Sequence, residues 1–242
     1  MERDYADQYS TLYRRHWWWR AREQFLLDHF RRLFPGGVGG SILDVGCGDG
    51  LFFDKLREFG QPEGVEADGH LVTEQGRRQG PIHIGSLETF PKDRSFRLIL
   101  MADVVEHVED DVALLRCARE LLAADGHLVL TVPAFPALWT QHDDVNRHHR
   151  RYTLASFTSA VRQAGLQVEH ARYFFHWLAP LKLLVAARER IRPPRGTAAT
   201  MIPPGLINGL LTRLTRVEQR LLRDHAPPFG SSLLVVARRQ EG

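Results

Sequence analysis

Cysteine is scarce in this chain: Cys47 and Cys117 are the only two in 242 residues. Their spacing fits neither a disulfide framework nor a metal-binding cluster, and the compartment it implies is a reducing cytoplasm. Long apolar runs are missing too. No stretch approaches the ~20 apolar residues that cross a bilayer. The opening MERDYADQYS is polar and mixed in charge, so no signal peptide is expected. Neither an internal repeat nor a low-complexity tract is present. What remains is 43% hydrophobic and 25% charged, an ordinary balance for a soluble globular chain. The length suits one α/β domain with an elaboration.

A strong overall charge is also absent, the net value being +3, but that small number hides an asymmetry. Residues 176–229 carry nine Lys or Arg against three acids, so the rest of the chain is slightly acidic. An anionic partner or surface is therefore expected at that segment.

Glycine is concentrated where it matters. Ser41 to Val45 reads as a short apolar strand buried on both faces, and SILDVGCGDG then turns through Gly46, Gly48 and Gly50. Glycine at such a turn reaches backbone angles that other residues resist, and it lets a ligand lie against the main chain. Beyond the turn, Phe52, Phe53, Leu56 and Phe59 recur at helical spacing. Strand, glycine turn and helix form the nucleotide-binding end of a doubly wound fold. A dinucleotide fingerprint would place its third glycine at position 51, which is Leu51. Glu66 closes the next apolar strand, and a carboxylate there can accept two hydrogen bonds from a ribose diol.

The remainder alternates strand and helix. Strands are expected at PIHIG, at about residues 96–102, at DGHLVLTVP, at LQVEHARYFF and at SSLLVVARR. Helices are expected over HLVTEQGRRQ, over a stretch placing Leu114, Leu115, Ala118, Leu121 and Leu122 on one face, and over Thr153 to Gly165. The expected fold is α/β: a doubly wound, Rossmann-like, seven-stranded and mostly parallel sheet, with an N-terminal helical segment and a helical insertion between strands six and seven. The domain plan is a helical lid over 1–40, a core over 41–175, an insertion or cap over 176–229, and the last strand and tail over 230–242. In the first segment Tyr5, Tyr9 and Tyr13 share a helix face, and Trp17, Trp18 and Trp19 are expected to pack onto the domain or cover its ligand.

The run D-V-G-C-G-x-G, with Glu66 one strand later, resembles motif I and the second-strand acid of class I S-adenosylmethionine (SAM) methyltransferases. ADVVEH, residues 102–107, is similar to the end-of-strand-four motif of small-molecule members, in a pattern close to those acting on quinones. TVPAFPALWTQHDDVNRHHRRYT resembles a bacterial subgroup carrying HD and then HxRRY. The resemblance implies SAM as cofactor, with S-adenosylhomocysteine as product. It puts the methionine part against Gly46, Cys47 and Gly48, the ribose at Glu66 and Ala67, and the adenine edge at Ser86 and Leu87. Ala102, Asp103 and Val104 would border the same crevice, and Asp44 would help hold the amino group. An arginine of the N-terminal segment, Arg20 or Arg22, would meet the methionine carboxylate; solvated arginines beside an aromatic cluster are the plainer alternative.

Methyl transfer is an in-line displacement, and much of its rate can come from alignment alone. A hydroxyl acceptor also needs a base. The candidates are His142, Asp143, His148 and Tyr152 after strand five, and His107 after strand four. His107 can equally cap a helix, and Arg150, Arg151 and Tyr152 can either anchor an acidic substrate or pin the loop. His142, Asp143 and His148 lack a strong ligand spacing, so no metal is expected. The expected reaction is methylation of a small or lipid-linked metabolite, at oxygen first, with nitrogen or carbon open. A nucleic-acid methyltransferase, a nicotinamide-dependent oxidoreductase and a non-catalytic SAM-binding module are the rivals. DVVEH in place of an Asn/Asp-Pro-Pro-aromatic motif disfavours the first, and Leu51 disfavours the second. The stripes Trp177–Val185 and Leu206–Leu222 are read either as a cap over the pocket or as a basic amphipathic pair for anionic membrane, spanning 177–224.

Overall fold

The computed structural model describes residues 10–194 and 201–240; Tyr5, Tyr9 and Arg195 lie outside them. A helical turn over 10–15 leads into α1 (Trp17–Leu33). The chain then runs β1 (Ser41–Val45), α2 (Phe53–Leu56), β2 (Gln61–Glu66), α3 (Glu74–Gln79), β3 (Ile82–Ile84) and β4 (Phe96–Ala102). It continues through α4 (Asp111–Leu121), β5 (Leu122–Pro133), α5 (Gln141–Val145), α6 (Leu154–Gln163) and β6 (Leu166–Phe174). It closes with α7 (Leu178–Ile191), α8 (Gly205–Leu221) and β7 (Ser232–Arg239).

The seven strands form one sheet in the order β3-β2-β1-β4-β5-β7-β6. All neighbours are parallel except β7, which lies antiparallel between β5 and β6. Apolar runs such as Leu98 to Met101 and Leu128 to Leu130 are wholly buried, as a sheet covered on both faces requires. The order reverses at β1, which pairs with β2 on one side and β4 on the other, so the crevice beyond their carboxyl ends is the natural ligand site.

Three expected elements are shorter or differently placed, and the helix expected over HLVTEQGRRQ begins only at Glu74, where Thr73 caps it. The helix after the glycine turn is only Phe53–Leu56; Phe59 packs edge-on to Phe30 at 5.5 Å. Leu122 belongs to β5 rather than to the helical face before it. α4 and α6 cover one side of the sheet, and their starts are fixed by side chains: Asp110 accepts the Ala113 N–H at 2.9 Å, and Thr153 forms a reciprocal cap with Ser156.

α1 covers the other side. Phe25 stacks on Phe174 at 4.3 Å, and Trp17 sits 5.5 Å from Trp177, so the tryptophans join the core rather than solvent. α8 packs beside α1, with Glu218 accepting the backbone N–H of His176 at 3.0 Å and that of Trp177. Those amides open α7 and have no partner within their own helix. Glu218→Ala is expected to lower unfolding stability by about 1–3 kcal/mol, read by urea titration. An unchanged midpoint would show that solvent serves these amides equally well.

Candidate active site

The crevice is built on a loop that only glycine accommodates. Gly46 and Gly48 adopt φ values of +72° and +54°. A Cβ on Gly46 would lie 2.7 Å from Val104 Cγ2, so the turn rests directly against the end of β4. Cys47 points under the loop: a Cβ on Gly64 would meet its Sγ at 2.3 Å, and burial pushes its thiol pKa up. At Cys47 it is therefore the backbone, not the thiol, that is placed along the open side of the turn.

Glu66 ends β2 and ties this loop down. One carboxylate oxygen accepts the Gly48 N–H at 2.8 Å and the other accepts the Asp68 N–H at 2.9 Å. Burial raises its pKa, opposed by these amides. Each oxygen keeps a second lone pair for a diol. Ala67 lies in the turn between Glu66 and the Asp68 amide it anchors. Asp44, at 5% exposure, is pushed up to about 7 by burial, with Arg22 opposing and Glu66 adding to the shift.

Of the two arginines, Arg22 reaches the crevice. It donates to Ala102 O at 3.3 Å, pairs with Asp103, and lies over the Trp18 ring at 5.0 Å. Arg20 lines a cleft of about 420 Å³ with Tyr13, Glu23, Asp49, Gly50 and Lys55, on the other stretch of the same glycine turn. Asp103 has φ of +58°, a strained backbone for a non-glycine residue, and its carboxylate also accepts from Thr131 Oγ1 at 3.3 Å. Ser86 donates to Glu88 at 2.9 Å, and Leu87 is buried in the core, so this turn presents mainly backbone.

The remaining candidate residues lie after β4 and β5. Asp143 is fully buried and saturated: it accepts from His148 Nδ1 and Arg151 Nε, both at 2.8 Å, and from Thr140 N at 2.9 Å. Burial works to raise its pKa, but these donors outweigh it and hold the carboxyl well below its usual range. Asp143 therefore orients other groups and has no spare basicity. Tyr152 is no base either: it is buried, donates to Asp111 at 2.9 Å, and burial pushes its phenol pKa up. Arg150 shares Asp111, and Arg151 donates to Ala134 O at 3.0 Å, so this pair pins the loop.

His148, with its Nδ1 committed to Asp143, keeps Nε2 for other chemistry. Its ring meets His107 edge-on at 4.7 Å, while His142 stands farther off at 6.5 Å and contacts Asn146 at 3.2 Å. Beside them is Glu106, which the sequence reading passed over. It is wholly buried, neither carboxylate oxygen has a hydrogen-bond partner, and burial followed by the nearby Asp103 charge raises its pKa. Donor atoms of Glu106, His107 and His148 lie within 4.8 Å of one another, a set that can hold a divalent cation. The trio spans two loops, so no spacing within residues 142–148 reveals it. The acid in DVVEH was the available signal.

A family profile described as "Methyltransferase domain" matches residues 18–171. The chain is 28% identical to the biotin biosynthesis bifunctional protein BioHC of Teredinibacter turnerae, over 88% of this chain and 40% of that one. It is 29% identical to a ubiquinone biosynthesis O-methyltransferase of Xanthomonas axonopodis pv. citri, over 57% of this chain and 66% of that one. It thus spans less than two thirds of the length of either of these curated relatives. Among solved structures, a Haloferax volcanii methyltransferase in complex with the Trm112 activator superposes with a TM-score of 0.62 at 19% identity, covering 99% of this chain and 96% of that one.

Asp44 gives this site a pH signature. Its carboxyl protonates near pH 7 when folded but near 3.8 as an ordinary aspartate, so between those values the folded state binds more protons and stability falls as pH rises. Asp44→Asn removes that slope. Moving from about pH 5 to about pH 8, the ligand-free variant should gain about 2–4 kcal/mol relative to wild type in urea unfolding. Parallel profiles would show that Asp44 titrates normally.

Proposed function

Because the chain belongs to the methyltransferase-domain family and is SAM-dependent, we propose that it methylates a small, lipid-like metabolite at oxygen, with His148 as the general base. The observation that carries the reading is the Glu66 carboxylate held between two backbone amides under the glycine turn, where a ribose diol can complete its hydrogen bonds. In this reading Gly46 and Gly48 take the methionine part, Asp44 its amino group, and the backbone of Ser86 and Leu87 the adenine edge. Arg22 and Asp103 close the methionine end.

SAM supplies an electrophilic methyl when bound. The protein's own contribution is alignment and proton removal. The acceptor enters on the side of the loops after β4 and β5. Asp143 fixes the tautomer of His148, leaving Nε2 to accept the hydroxyl proton as the oxygen attacks; His107 and His142 flank it. The relatives named for small-molecule methylation, including the ubiquinone enzyme, support an acceptor of that class. A lipid-linked acceptor would reach the crevice from a membrane surface, and the helical insertion is the element that could meet one.

Calorimetric titration tests the cofactor half: SAM should bind and NAD should not. Glu66→Ala should weaken SAM binding by about 1–3 kcal/mol. Equal affinity in the variant would remove the ribose assignment. For the catalytic half, His148→Ala should leave SAM affinity intact and lower transfer of labelled methyl into an organic-extractable fraction by about 10²–10⁴-fold. A variant as fast as wild type would exclude His148 as the base.

A further inference from the structure

The helical insertion carries chemistry that methyl transfer does not use. α8 is amphipathic, yet it is mounted polar side inward. Asn208 accepts the Trp17 N–H at 2.9 Å and donates to Arg15 O at 2.8 Å. Thr215 accepts the Trp177 indole N–H at 3.1 Å, and Gln219 donates to Ala21 O at 3.2 Å. Seated by burial alone, such a helix would turn its leucines toward the sheet. Here Leu206, Leu210 and Leu221 are 92%, 66% and 77% exposed, and Leu214 and Val217 between them are exposed as well. At 3.6 residues per turn these five occupy one sector of roughly 80°. A continuous apolar strip of this kind marks an interaction surface, unlike the scattered apolar side chains of any protein exterior.

The charges select the partner. α7 and α8 hold one acid each, and both are used inward: Glu189 accepts the Gln141 N–H at 2.8 Å, and Glu218 caps the start of α7. The exposed charges on these helices are cationic, with Arg213 and Arg220 bordering the leucine strip and Arg188 near the exposed Leu184 and Ile191 of α7. A second copy of this face would set arginine against arginine, which disfavours self-association. An anionic bilayer complements both features, the leucines entering the acyl boundary while the arginines meet lipid phosphates. Among the described residues no helix is long and apolar enough to cross a membrane, so the contact is that of a helix lying in the interface.

We propose that the outward face of α8, aided by the exposed end of α7, docks this protein on anionic lipid bilayers. For its purpose, the delivery of a lipid-like acceptor, the inference rests on the methyl-transfer reading; its geometry does not. Full-length protein is to be sedimented with vesicles of phosphatidylcholine containing phosphatidylserine, and with phosphatidylcholine alone, with SAM affinity measured in parallel as the report of a folded core. Wild type should co-sediment with the anionic vesicles in a salt-sensitive manner. The triple change Leu210→Ser, Leu214→Ser and Val217→Ser should abolish this, and Arg213→Gln with Arg220→Gln should weaken it about ten- to thirtyfold. SAM affinity should stay at the wild-type level in both. The proposal is overturned if folded wild type stays in the supernatant or if the leucine triple variant binds as well as wild type. A concentration-dependent dimer that the triple change dissolves would overturn it too, by showing that a second copy covers the strip. Failure of wild type to bind SAM would instead sink the methyl-transfer reading and leave the docking result standing.

Discussion

Two short hydrogen bonds to one carboxylate organise the ligand end of this molecule. Glu66 reaches from the end of β2 to the Gly48 amide and to its own turn at Asp68, joining the first two parallel strands at their carboxyl ends. Backbone amides inside a turn have no helix or ladder partner, and burying them unpaired would cost about as much as losing a hydrogen bond. The carboxylate resolves that problem and leaves acceptor capacity facing the crevice. Scaffold and ligand chemistry therefore depend on the same side chain. The turn can be this tight because Gly46 rests on Val104 and because Gly64 has no side chain to collide with Cys47.

Around that anchor, buried charges differ in how they are partnered. At the end of β4, Asp103 pairs with Arg22 of α1, which couples the N-terminal helix to the strand ends. After β5, Asp143 spends its lone pairs on Thr140, His148 and Arg151, so a fully buried negative charge is matched by donors on every side. Glu106 stands in contrast, buried without donors and pushed toward its neutral form. Two carboxylates in neighbouring loops thus hold opposite protonation preferences because one is surrounded by donors and the other is not.

The insertion follows different physics. Leu178 of α7 and Leu211 of α8 reach the core, but α8 is fastened chiefly by specific polar contacts: Glu218 to the start of α7, Asn208 to α1, Thr215 to Trp177. Polar fastening frees the apolar sector for something outside the chain. A helix read only by its periodicity would be assigned the reverse orientation, since hydrophobic spacing reports that a face exists and not which way it is turned.

The strand-and-helix rhythm, the glycine turn and the acid one strand on were all legible from residues 41–66 and the later apolar runs, because period and turn chemistry are local properties. β4 falls on the expected residues 96–102 for the same reason. Local pattern did not decide the length of α2, which arginine pairs with Asp103, or the hydrogen-bonded, orienting positions of Tyr152 and Asp143. Each of these depends on what a side chain meets after the sheet has closed. Glu106 is the clearest case: its environment is made by loops from two strands, so only the assembled tertiary structure brings it to His148. Sequence determined which elements form and where the cofactor crevice opens; packing decided which charged groups face it, because burial and partner geometry are set by residues distant along the chain.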